Sequence, residues 1–216
     1  MSRIEEIYET YDIMPTLREH MYRVAAVASV ICDSLSLSSK EKQEIVIACL
    51  LHDMGNLIKF RLGDLPQLLA PKGLIYWQSI QEVWKQKYGT DEHLATRKIA
   101  EELGVSDRIL MLVDSIGFPN GKRNLLEADI SKMIAGYADM RVSPYGVRPL
   151  LDRLDDLQKR YKDKSNNEKE SQQELIIAFT GIEKYIFANA SISPEMITEE
   201  AITVLLPELK SVTIAS

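Results

Sequence analysis

Histidine occurs three times in the 216 residues, as His20, His52 and His93. His52 is followed directly by Asp53 in Leu50-Leu51-His52-Asp53-Met54-Gly55, at the end of an apolar run that reads as a buried helix. A carboxylate buried without partners costs roughly several kcal/mol or is forced neutral, whereas a divalent cation satisfies an imidazole and a carboxylate together. A lone His-Asp pair can equally be a carboxylate holding a ring, or two solvated groups beyond a helix end. The order of the remaining donors therefore matters: His20 precedes the pair, and Asp139 follows in Ile134-Ala-Gly-Tyr-Ala-Asp139-Met-Arg-Val.

This ordered set, with leucines and alanine before His52, a glycine two residues after Asp53 and the Ala138-Asp139 pair, resembles the HD-domain superfamily of metal-dependent phosphohydrolases over about residues 13 to 160. The resemblance implies a five-helix core in which His20, His52, Asp53 and Asp139 bind one divalent cation, with open positions for water and a phosphate oxygen. Mixed nitrogen and oxygen ligation suits Mn, Mg, Fe, Co, Ni or Zn. Such a cation polarises a phosphoryl group and acidifies its bound water.

Departures from the family pattern narrow the chemistry. Many members carry a lysine just after the glycine to contact phosphate, and the branch that cleaves deoxynucleoside monophosphates has a glutamate there; this chain has Asn56. Lys59 or Arg61 can supply a cation from the following loop, unless either is simply a solvated surface charge. His93 matches the family's third histidine position, with Arg97 one helical turn later. Two-metal branches carry a further histidine in the next helix, and 109–116 has none. His93 reads as a ligand of a second metal helped by Asp114, as a donor to substrate phosphate, or as an exposed helix-start histidine. Asp53 and His93 are assigned to catalysis, and Lys59 and Arg97 to substrate binding. Arg18 and Arg23 flank His20, and neither is counted as a ligand.

The elements that must position these groups are helical. Ten glycines and eight prolines are few for a β protein, and apolar residues recur every three or four positions. Leu17, Met21, Val24, Ala25, Ala28 and Ile31 form one face of a helix over Thr16–Asp33, with Pro15 just before it. Ser38 and Glu41 form a capping box that opens a helix reaching His52, which Gly55 ends. The proline- and glycine-bearing stretch 60–74 reads as a loop, followed by a helix through Trp77 and Trp84; together they are expected to shape the pocket, although such aromatics are more often core. Further helices are expected over Glu92–Leu103, from Ser106 to near Gly117, over Leu126–Asp139, through Leu150–Leu157, and over Glu174–Ala188 and Pro194–Leu206. The fold class is thus an all-α HD-type bundle with additional C-terminal helices. Its core is expected over 1–162, a polar linker over 163–173, and a C-terminal cap or dimerisation element over 174–216.

Twenty-six basic and 32 acidic residues give a net charge of −6, so no general field attracts nucleic acid or an anionic membrane. The longest apolar run, Ile45 to Leu51, falls far short of the roughly 20 residues a membrane-spanning helix needs. The N-terminal stretch places acidic residues where a signal peptide would be basic. Cys32 and Cys49 sit in apolar helical stretches and read as reduced core residues. The expectation is a cytoplasmic metal-dependent phosphohydrolase acting on a nucleotide or other small phosphate ester, with a homodimer left open. The alternative is an inactive HD-type module that binds a nucleotide or partner and regulates.

Overall fold

Caps and breaks in the sequence set the helix boundaries of the computed structural model, which describes residues 2–64, 66–160 and 166–214, without the side chains of 158–172. The order is α1 (Ile4–Thr10), α2 (Pro15–Ser34), α3 (Ser39–Leu51), α4 (Leu74–Tyr88), α5 (Glu92–Glu102), α6 (Asp107–Val113), α7 (Gly121–Glu127), α8 (Ile130–Met140), α9 (Leu150–Arg160), α10 (Asn166–Phe187), α11 (Glu199–Thr203) and α12 (Leu206–Lys210). The protein is all-α, as expected. Its only strands among the described residues are two-residue pairs: β1 (Ser2–Arg3) against β4 (Thr213–Ile214), and a hairpin of β2 (Val142–Ser143) and β3 (Gly146–Val147).

Ile45 to Leu51 are all buried, so α3 is enclosed on every side and must lie at the centre. It packs on α2, α6 and α8, and α2 also packs on α8. These are the helices that carry His20, His52-Asp53 and Asp139. The predicted face of α2 is buried throughout, and Pro15 takes the first helical position rather than preceding the helix. Ser38 and Glu41 form the expected capping box, and the side chains of Asp91 and Ser106 cap α5 and α6. Cys32 and Cys49 are buried free thiols, and burial pushes the Cys32 thiol up to about 12.

Three sequence expectations are corrected. The helix expected over Leu126–Asp139 is two helices. Ala128 turns left-handed at φ 52°, and the Asp129 side chain accepts from the Ser131 and Lys132 amides to start α8 anew. Arg108 holds that same carboxylate at 2.6 and 3.0 Å. The helix expected over Pro194–Leu206 breaks into a 3-10 turn (Pro194–Met196), α11 and α12. Arg141, only 2% exposed, takes the Pro194 and Ile197 carbonyls at 3.0–3.2 Å, and Thr198 restarts the helix by capping Ala201. Finally, Trp77 and Trp84 are buried in the core, with Trp77 Nε1 donating to the Leu69 carbonyl and Gln81 holding carbonyls of 57, 58 and 60. They brace the 60–74 segment rather than line the pocket.

The linker expected over 163–173 lies partly outside the described residues, and α10 already runs from Asn166. Beyond it, Phe179, Ile182 and Ile186 are fully buried against the core, and α10 packs on α7 and α8. Gly121 makes that approach close: a Cβ there would stand 2.8 Å from Phe179 Cδ2.

Candidate metal centre

His20 projects from α2, His52 is the C-cap of α3, Asp53 follows it, and Asp139 lies in the last turn of α8. The four converge. His20 Nε2 stands 3.2 Å from Asp139 Oδ1 and 3.6 Å from Asp53 Oδ2. His52 Nε2 stands 3.5 Å from Asp139 Oδ1 and 3.7 Å from Asp53 Oδ1. One donor atom each from His20, His52 and Asp139 lie within 4.8 Å of one another; Asp53 is not in that mutual set, but turns one oxygen to each ring.

These residues fit a divalent cation. Donors about 2.1 Å from a common ion stand roughly 3.0–3.5 Å apart in octahedral or tetrahedral geometry, close to the separations seen. The Nδ1–H of His52 donates to the Cys49 carbonyl at 2.7 Å, which fixes Nε2 as the lone-pair nitrogen of the neutral ring. That Nε2 is buried and makes no hydrogen bond among the described residues. Carboxylates at 3.5 Å and beyond attract a charged ring but are too far for a good hydrogen bond, so the nitrogen is left without a partner. An orphaned lone pair aimed at two carboxylates is what a ligand nitrogen requires.

The electrostatics have a direction. Burial works against the protonated His52 ring, but Asp53 and Asp139 outweigh it and push its pKa from 6.5 up to about 9. Burial also works against charge on Asp139, yet the His20 hydrogen bond and the attraction of the neighbouring His52 ring hold its carboxyl well below the usual range. In the metal-free protein the His52 contribution to stability is complete below pH 6.5 and lost as pH rises through about 9. That of Asp139 is lost as pH falls below the carboxylate range. A cation entering at pH 7 must displace the His52 proton, so its apparent affinity climbs with pH and levels off near 9. Calorimetric titration with Mn2+ at pH 7, in two buffers of different ionisation enthalpy, should show about one proton released per cation. Identical heats in both buffers would contradict this.

Beside His52 opens a cavity of about 300 Å³, lined by His52, His93, Thr96, Val113, Asp114, Pro119 and Asn120. Its walls come from α5, α6 and the turn before α7. His93 has a 68% exposed side chain at its mouth, with Nε2 3.8 Å from Glu92. Arg97 is held by Glu101 at 2.9 Å and by Asp114. Lys59 pairs with Glu92 at 3.5 Å, and Asn56 is buried. Arg18 caps the Ile13 and Tyr8 carbonyls, and Arg23 pairs with Glu199 and Glu19. Sequence reasoning missed Thr96 and Asn120 as lining residues; both are common polar types with no local signature, brought to the cavity only by packing.

Residues 17–116 match the family model described as HD domain. No curated protein and no solved structure matches the chain. No described helix is long and apolar enough to cross a membrane.

Proposed function

From a chain whose residues 17–116 match the HD-domain family model, we propose a metal-dependent phosphohydrolase that cleaves a phosphate ester of a nucleotide or another small molecule. One observation carries the reading: the orphaned Nε2 of buried His52 completes a donor cluster with His20 and Asp139 and also lines the cavity, so ion and substrate share one space. His20, His52, Asp53 and Asp139 would hold the ion. When bound, it would polarise a phosphoryl oxygen and acidify water.

The chain's own groups supply the rest. Asp139 and Asp53 offset the ion's charge and orient both imidazoles, while the Cys49 carbonyl locks His52 in the ligating tautomer. Asp53, with one oxygen turned to each ring, would act at the ion, where its carboxylate can also take a proton from bound water. His93, at the mouth, can donate a hydrogen bond to a phosphate oxygen and later a proton to the leaving group. Lys59 pairs with Glu92, the residue before His93, and would reach a phosphate only by exchanging that partner.

Panels of phosphomonoesters and nucleotides assayed with Mn, Mg, Co and Ni test the reading, with His52→Ala as background. Wild type should exceed that background clearly. His93→Ala should lower turnover about 10²–10⁴-fold while retaining the metal, because it removes a group used in the reaction and no ligand. Loss of metal in His93→Ala would make His93 a ligand, and unchanged turnover would make it a solvated surface residue. The regulatory reading draws on Lys59 and Arg97 both being engaged by carboxylates; nucleotide binding without turnover of any ester would favour it.

A further inference from the structure

Two of the cavity's lining residues, Asp114 and Asn120, present acceptor oxygens to it. Asp114, the C-cap of α6, lines it and is fixed three ways: its carboxylate Oδ2 takes the Arg97 guanidinium, and its carbonyl accepts from Asn120 Nδ2 and Arg123 Nη2, each at 3.1 Å. Arg97 is itself anchored by Glu101. Asn120 also lines the cavity, and its Nδ2 donates to the Asp114 and Ile116 carbonyls at 3.1 and 3.2 Å. Flipping that amide would set its oxygen against two carbonyl oxygens, so the orientation is forced. Two side-chain acceptors then carry no hydrogen bond among the described residues: Asp114 Oδ1 and Asn120 Oδ1.

We infer that Asp114 and Asn120 are specificity-determining residues that accept hydrogen bonds from hydroxyl or amino groups on the substrate's leaving group, and that Arg97 acts by positioning Asp114 rather than by binding phosphate. The inference rests on the phosphohydrolase reading and deepens it. The pair of acceptors at Asp114 and Asn120, one of them a carboxylate, disfavours two kinds of leaving group. Asp114 is exposed and Asn120 half-buried, so an apolar leaving group would displace the water hydrating both oxygens without replacing its hydrogen bonds, and a diphosphate or triphosphate brings negative charge against Asp114. Neutralisation of Arg97 by Asp114 and Glu101 removes the cation that an anionic leaving group would need.

The test uses the Mn2+-loaded full chain and three monoesters: adenosine 5′-monophosphate, its 2′,3′-dideoxy analogue, and purine riboside 5′-monophosphate, which lacks the amine. Wild type should prefer the first over at least one of the others by about tenfold or more in kcat/KM, and the analogue disfavoured tells hydroxyl from amine recognition. In Asp114→Ala the preference should collapse towards one, and relative activity on adenosine 5′-diphosphate should rise because the repelling carboxylate is gone and Arg97 keeps only Glu101 as partner. Arg97→Ala should erode the same preference with the metal still bound. A merely structural role lowers all substrates alike and leaves the ratios untouched; that result, or a wild-type ratio of one for both analogues, overturns the inference. If wild type hydrolyses nothing, the phosphohydrolase reading fails separately. The same three compounds titrated into the Mn2+-loaded protein then decide, an Asp114-dependent affinity ratio supporting the inference and equal affinities overturning it.

Discussion

Asp139→Asn should strip the protein of its metal. Wild type is expected to hold close to one divalent cation per chain after mild dialysis, and the variant to bind more than about 100-fold more weakly, beyond the 10–100-fold typical of losing an outer-shell partner. The size of the effect follows from the position of Asp139 between the two imidazoles, 3.2 Å from His20 Nε2 and 3.5 Å from His52 Nε2. The amide keeps the shape and removes the charge that both rings share. Asp53→Ala should act in the same direction, because Asp53 turns one oxygen to each ring. Metal content by mass spectrometry, with circular dichroism to show the fold retained, measures both. Equal metal in wild type and Asp139→Asn, or none in either after supplementation with Mn2+, would remove the basis of the proposed chemistry.

That cluster was legible in the sequence because its members are rare or adjacent. Three histidines in the chain leave few combinations, and the His52-Asp53 dipeptide at the end of an apolar run marks a charge that must be compensated. The helices bearing them were equally legible, because burial on one or all faces imposes a repeat that the sequence displays. What stayed hidden depends on contacts between distant residues. Nothing local says that Arg141 will reach 53 and 56 residues along the chain to take the Pro194 and Ile197 carbonyls and so break an apparently continuous helix. Nothing local says that Glu199 will bridge Arg23 and the Val147 amide, or that the chain ends will pair as strands. The break at Ala128-Asp129 was more nearly readable: Asp129 is a good capping residue, but a long apolar repeat on both sides conceals the interruption.

Gly55→Ala should unfold the protein at a distinctly lower temperature and detach the substrate side of the site from the metal side. Gly55 has φ −82° and ψ −5°, a backbone conformation any residue adopts, so conformational freedom is not the reason for glycine here. Space is. A Cβ at Gly55 would stand 2.7 Å from the Thr96 amide nitrogen, 2.8 Å from Thr96 Oγ1 and closer still to the Glu92 carbonyl oxygen. Two of these are backbone atoms of α5 and cannot rotate away, so the helix must shift or the turn after His52 must open. Either movement strains the 2.8 Å bond from the Gly55 amide to Thr96 Oγ1, which ties the metal-bearing turn directly to α5. Overpacking of this kind costs about 1–3 kcal/mol, and the strained buried amide adds to it. In a chain of this size the melting temperature should fall by roughly 2–12 °C. His20 and Asp139 lie on α2 and α8, away from the strained turn that carries His52 and Asp53, so metal affinity in the folded variant should fall less than turnover, which drops as His93, Thr96 and Arg97 move with α5. Thr96→Val, which removes the acceptor without adding bulk at Gly55, should show a smaller loss of both stability and turnover. A Gly55→Ala protein that melts within a degree of wild type would mean that α5 is not seated on this turn, and the coupling between metal and cavity would have to be sought elsewhere.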